Sequence, residues 1–239
     1  MNVIETKDLT KKYSNGRGAD NISLTVKKGE VFGLLGPNGC GKTTFMKLLT
    51  GLSIADSGEY RLFEQEPAKD ISVMKRVGCM IEEPAFYPHL TAFENLKILL
   101  RLYPQLSENR IRELSDKLGL TEYMNEPVYK FSMGMKQRLG FAAALIHSPE
   151  LLILDEPANS LDIAGTAKMR EMLKAFAANG GTILISSHIT GEIQSICTKI
   201  AVMESGHILD ISDTEDIIRR HGSVEEHYLI TVGSGAAKQ

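Results

Sequence analysis

The chain has 239 residues, 43% hydrophobic and 24% charged, and its 27 basic and 30 acidic side chains give a formal net charge of -3. That length holds one large domain or two small ones with a sizeable buried core, and the charge balance announces no polycationic surface, so nucleic acid is not an expected partner. No run approaches the ~18 consecutive apolar residues of a membrane span, and Cys40, Cys79 and Cys197 lack disulfide or zinc-site spacing and read as reduced apolar fillers.

In chain order, the amino terminus lacks the basic-then-apolar layout of a secretion signal, so a cytosolic chain is expected. Alternation over 3–9 and at Ile22, Leu24 and Val26 predicts antiparallel strands. Residues 31–35 are instead a continuous apolar run of buried-strand length. They lead into Gly36-Pro37-Asn38-Gly39-Cys40-Gly41-Lys42-Thr43-Thr44, which fits the phosphate-cradle pattern G-x-x-x-x-G-K-[ST]. Residues 42–50 then carry apolar side chains at helical spacing until Gly51. Strand, loop and helix are the context that pattern requires. The glycines let successive N–H groups turn toward phosphate oxygens, Lys42 brings a cation to the terminal phosphates, Thr43 offers a hard oxygen to Mg²⁺, and the helix dipole favours an anion. A nucleoside triphosphate is the expected ligand, and oxidation of Cys40 would be expected to block it.

Residues 57–63 complete a small β layer. Apolar runs at 77–81, 151–154, 182–185 and 200–203, with 31–35, predict about five strands of a parallel sheet covered on both faces. Helical patterns at 91–103, 107–118 and 133–146 exceed the single crossover that parallel neighbours need. The surplus predicts an inserted helical lobe at about 84–131, with Pro84, Pro88, Pro104 and Pro127 at its corners. A further helix has Asp162 as N-cap and Gly180 just past its end, and a shorter one spans 214–220. The pattern weakens from Gly222, which places the domain at 1–222 and a tail at 223–239 whose end is expected to be disordered.

The chemistry sits at strand ends. Leu151-Leu152-Ile153-Leu154-Asp155-Glu156 is an apolar strand ending in two carboxylates: Asp155 suits a water-mediated hold on Mg²⁺, and Glu156 suits a general base for the attacking water. Together with the phosphate loop and Phe131-Ser132-Met133-Gly134-Met135-Lys136-Gln137-Arg138, these residues make the chain resemble the ATP-binding subunits of ABC transporters over nearly its whole length. The resemblance implies an α/β fold with a P-loop NTPase (RecA-like) parallel-sheet core, an N-terminal antiparallel β layer and an inserted α-helical subdomain. It implies ATP and Mg²⁺ as cofactors and ATP hydrolysis as the activity. It also implies a homodimer, or a pairing with another ABC subunit, in which Ser132 and Gly134 contact the γ-phosphate held by the other copy. Transmembrane permease subunits are the further partners, with the chain peripheral on the inner face of the membrane.

Within that resemblance Tyr13 occupies the place of an aromatic that stacks on adenine, although a tyrosine there also suits simple packing. Asp162 matches a loop that crosses the dimer interface, and His188 in Ser186-Ser187-His188 matches a γ-phosphate-sensing histidine. Two departures stand out: Glu82, in Ile81-Glu82-Glu83-Pro84, replaces the usual glutamine and keeps a possible hold on Mg²⁺ beside Thr43 and Asp155, while Met133 replaces the usual glycine. Both are similar to the branch that exports bacitracin-like and lantibiotic peptides or confers immunity to them. An exposed groove beside Phe86, Tyr87 and Leu90 is the expected place for a permease helix. The alternative is a soluble ABC-type switch on ribosomes, DNA or iron-sulfur assembly, for which no second cassette, long coiled coil or basic arm is visible.

Overall fold

The computed structural model describes residues 1–236. The amino-terminal part supplies four strands, β1 (Asn2–Lys12), β2 (Gly18–Lys27), β3 (Val31–Leu35) and β4 (Ser57–Leu62), with helix α1 (Lys42–Leu49) after β3. β1 lies between β2 and β4 in an antiparallel sheet, the small β layer read from alternation. β3 leaves that layer for a larger sheet formed with β5 (Val77–Met80), β6 (Leu151–Asp155), β7 (Thr182–Ser187), β8 (Lys199–Glu204) and β9 (His207–Asp213). The order is β5-β6-β7-β3-β8-β9, with the first five strands parallel and β9 antiparallel to β8.

Period-two side-chain direction divides the apolar strands between two cores. Phe32, Leu34, Leu151, Ile153 and Leu184 pack against α1 and the antiparallel sheet, with Phe45, Met46, Ile4 and Val26 fully enclosed. Val31, Leu35, Leu152, Leu154, Ile183 and Ile185 face the helices on the other side. Those helices are α2 (Ala92–Leu100), α3 (Asn109–Leu118), α4 (Met133–Leu145), α5 (Ile163–Ala178) and α6 (Thr190–Ile196). The inserted lobe has no core of its own: Leu96, Ile111 and Leu114 join the same cluster as Leu139 and Leu173. Thr91 starts α2 with a reciprocal capping box to Glu94, and Asp162 caps α5 by accepting from the Gly165 N–H at 2.7 Å.

β9, α6 and the last helix were not read from the sequence. β9 alternates exposed with half-exposed positions and has no fully buried side chain, so it gives no apolar run. The tail expected from 223 is in fact helix α8 (Val224–Ala236), following α7 (Thr214–His221). Val224 is fully buried and His227 nearly so, with His227 Nε2 3.1 Å from Asp210 Oδ2, which anchors α8 to β9. The last three positions of the expected disordered end, 237–239, lie outside the described residues. Cys40 and Cys197 are buried fillers as expected, whereas Cys79, on edge strand β5, is exposed. Among the described residues no helix is long and apolar enough to cross a membrane.

The sheet order matters because β6, β7 and β3 end level. Asp155 pairs in register with Ser186, and Leu35 with Ser187. The carboxyl ends of parallel strands are where open α/β sheets place ligands.

Candidate active site

The loop leaving β3 is packed too tightly for side chains at two of its glycines. A Cβ on Gly36 would lie 2.2 Å from the Met203 carbonyl oxygen. One on Gly41, whose φ is +111°, would lie 2.1 Å from the Gly18 oxygen. The loop therefore wraps as bare backbone, and α1 begins at Lys42 with no side-chain cap and no acidic residue in its first turn. Its N-terminal N–H groups and dipole remain available to an anion. Gly41→Ala should cost about 2–4 kcal/mol of stability by backbone strain and collision and abolish nucleotide binding, as measured by denaturant unfolding and ATP titration.

Four groups converge on this loop from the other strand ends. Thr43 Oγ1 donates to Asp155 Oδ2 at 2.7 Å, and Ser186 Oγ donates to Asp155 Oδ1 at 2.6 Å. Both oxygens of the buried aspartate are thus fixed, and the Glu156 N–H in turn donates to Ser186 Oγ at 2.9 Å. Glu156 turns sharply off β6 with φ +47°, a conformation rare for a residue with a Cβ. That turn directs its Oε2 to within 2.7 Å of His188 Nδ1. Lys42, almost wholly buried, donates from Nζ to the Gly36 and Pro37 oxygens at 2.6 and 3.1 Å. The same Nζ lies 3.2 Å from Glu156 Oε1, an ion-pair distance without hydrogen-bond alignment, so that this buried oxygen has no hydrogen-bond partner.

The arrangement fits a magnesium nucleotide. Thr43 and Asp155 bring together the hard oxygen donors that Mg²⁺ prefers, and the unpartnered Glu156 oxygen is a buried acceptor awaiting a donor such as water. Among the described residues no three His, Cys, Asp or Glu side chains form a metal cage. Mg²⁺ commonly keeps waters and phosphate oxygens in place of such a cage. The adjoining cleft, about 340 Å³, is lined by Tyr13, Asn38, Gly39, Gly41, Lys42, Thr43, Thr44, Glu82 and Glu156 of the expected set. It also takes in Asn15, Arg17 and Lys47, which sequence reasoning missed. Tyr13 is 42% exposed at this mouth, above the turn closed by its N–H to the Arg17 oxygen at 2.8 Å.

The other expected site residues take these places. Glu82 reaches the cleft, but its Oε1 is 2.6 Å from Lys47 Nζ and its carboxylate is not joined to Thr43 or Asp155. Cys40 contributes backbone only: its thiol is buried beside Gly36, and burial raises its pKa, which opposes the thiolate that oxidation needs. Ser132, Gly134 and Asp162 do not line the cleft. Ser132 caps α4 by accepting from the Met135 N–H at 3.2 Å, and a Cβ on Gly134 would come within 2.8 Å of the Ser160 oxygen. The start of α4 thus packs against the loop before α5.

A second groove, about 420 Å³, opens between the sheet edge and the lobe. Phe86 and Tyr87 line it as expected, together with Leu52, Cys79 and Leu102, but Leu90 does not.

Comparison with known proteins gives a concordant picture. The family model described as ABC transporter matches residues 19–159. The bacitracin transport ATP-binding protein BcrA of Enterococcus faecalis is 41% identical over 238 residues, covering 99% of this chain and 77% of BcrA. The lantibiotic transport ATP-binding protein SrtF of Streptococcus pyogenes is 40% identical over 207 residues, covering 87% of this chain and 89% of SrtF. A solved structure described as an ATP-binding subunit of an ABC transporter superposes with a TM-score of 0.87 at 26% identity, over 96% of this chain and 99% of the other.

Proposed function

The chain belongs to the ABC transporter family as an ATP-binding, ATP-hydrolysing subunit that uses Mg²⁺, and we propose that two copies close on two ATP molecules to drive a separate membrane permease exporting a bacitracin-like or lantibiotic peptide. The observation that carries the paired arrangement is that the expected site residues do not all meet in one cleft. Phosphate-loop residues and Glu156 line it, with His188 joined to Glu156, whereas Ser132 and Gly134 do not line it and Gly134 packs against the Ser160 carbonyl. In a head-to-tail pair, the helix N-terminus at Ser132 of one copy would supply its N–H groups and dipole to the phosphates cradled by the other. A second, different cassette could take the partner's place with the same geometry.

Within each site we assign Glu156 as general base, with Lys42 stabilising charge on the terminal phosphates. Glu156 Oε1 accepts a proton from the attacking water as the water oxygen bonds to the γ-phosphorus and the bond from phosphorus to the ADP oxygen breaks. His188, donating from Nδ1 to the other Glu156 oxygen, orients the carboxylate, and with a proton on both ring nitrogens it would donate from Nε2 to the γ-phosphate. Thr43 and Asp155 would hold Mg²⁺, which neutralises phosphate charge when bound. Tyr13 offers a ring face at the mouth for the base. Closure of the pair excludes water and strengthens each of these interactions.

The groove beside Phe86 and Tyr87 suits a permease helix. Leu52, Tyr87 and Leu102 are 64%, 63% and 69% exposed there, an apolar surface that remains in water without a partner. Docking would place the chain on the inner face of the membrane. The names of the relatives favour the peptide-antibiotic branch and give no support to a ribosome, DNA or iron-sulfur switch. Affinity purification of the tagged chain from solubilised membranes should recover a polytopic membrane protein by mass spectrometry, and deletion should sensitise cells to such peptides. Recovery on ribosomes or DNA at physiological salt, with no membrane partner, would overturn the transport reading.

A further inference from the structure

We propose that Lys47 is a positioning residue of the ATP site, holding the Glu82 carboxylate as its counter-charge so that an acidic side chain can stand at a triphosphate cleft. The proposal rests on reading this cleft as the ATP site. Thr43 and Lys47 are four residues apart on α1 and therefore share one helix face, the face that also meets Asp155. Lys47 Nζ lies 2.6 Å from Glu82 Oε1, and both residues line the cleft. Glu82 adopts φ +59°, a backbone conformation that a residue with a Cβ takes only when its surroundings impose it.

Two ion pairs lie along the cleft, whose lining also includes Arg17: Lys42 faces Glu156 at 3.2 Å, and Lys47 faces Glu82 at 2.6 Å. With the Glu82 side chain 59% exposed, the second pair contributes little to fold stability. Its consequence is for the ligand, because an unpaired carboxylate would repel the phosphates that Lys42 and the loop attract.

A double-mutant cycle on the full chain, read as ATP affinity by equilibrium titration in EDTA and again with Mg²⁺, tests this. Lys47→Met should weaken ATP binding about 10-fold, which is 1.4 kcal/mol. Lys47→Arg should stay within about 3-fold of the parent, and Glu82→Gln should leave binding unchanged or tighten it by up to about 3-fold, since it removes the repelling charge. The Lys47→Met, Glu82→Gln double variant should return to within about 3-fold of the parent. Thermal midpoints within a few degrees of one another establish that all four variants fold, and Lys47→Gln replaces Lys47→Met should the latter fail. A double variant as weak as Lys47→Met alone means that Lys47 grips phosphate directly, and parent-like binding by Lys47→Met means that it has no role; either overturns the proposal. Absence of ATP binding by the unsubstituted chain overturns the ATP-site reading itself.

Discussion

Glu156→Gln should lower steady-state ATP hydrolysis by about 10²- to 10⁴-fold while ATP still binds. The substitution removes the basic oxygen without removing the atoms around it. The turn off β6 is fixed by a backbone bond, Glu156 N–H to Ser186 Oγ at 2.9 Å, and the Asp155 carboxylate proposed to hold Mg²⁺ is fixed independently by Thr43 and Ser186. A carboxamide is nearly isosteric, so the loop and donor set should persist. What is lost is the proton acceptor at Oε1, a buried oxygen left without a hydrogen bond. The expected loss is about 3–5 kcal/mol of transition-state stabilisation, with no comparable change in ground-state binding. Single-turnover hydrolysis with ATP affinity measured alongside distinguishes the two. An unchanged rate would remove Glu156 from the role of base.

The parts of this site written as contiguous chemistry were legible in the sequence. The phosphate loop announces itself because glycine and lysine spacing is set by phosphate geometry, and Asp155-Glu156 stands out because two carboxylates end an otherwise apolar strand. The five buried parallel strands were legible for the same reason, as apolar runs between helical segments. Lys47 was not, since a lysine on an amphipathic helix is ordinary, and its meaning comes from a carboxylate 35 positions away. Ser186 was read only as part of the stretch before His188, although its hydroxyl ties Asp155 to the Glu156 backbone. The last strand and helix failed for a physical reason too. Neither β9 nor α8 presents a continuous apolar stripe: β9 is the sheet's far edge strand with exposed and half-exposed side chains, and α8 is held by the buried Val224 and His227 with the half-buried Tyr228 packed on the core. Cys79 shows the opposite error: a small apolar residue in a core-like run proves exposed because β5 is an edge strand.

Mixing two inactive variants should restore hydrolysis. In Lys42→Ala the phosphate loop is disabled and the α4 surface is intact; in Ser132→Arg the loop is intact, while a long cation blocks the helix start. On the proposed pairing, in which every site combines one copy's loop with the other's α4, each variant alone should lack a complete site in a symmetric pair. In a mixed pair one site carries both lesions and the other carries neither. Equal mixing makes half of the pairs mixed, so about a quarter of the parent sites should be intact if pairing is random and the sites act independently. If a single copy completed its own site, mixing would restore nothing. The separation of Ser132 from the Lys42 cleft makes the first outcome the expected one. The same logic predicts that Glu156→Gln, which holds ATP without consuming it, elutes as a dimer with ATP and as a monomer without it. Adding Ser132→Arg to that chain should keep it monomeric at saturating ATP. A chain that stays monomeric as Glu156→Gln with saturating ATP and Mg²⁺ would overturn the self-paired site and leave a different cassette as the only partner consistent with the geometry.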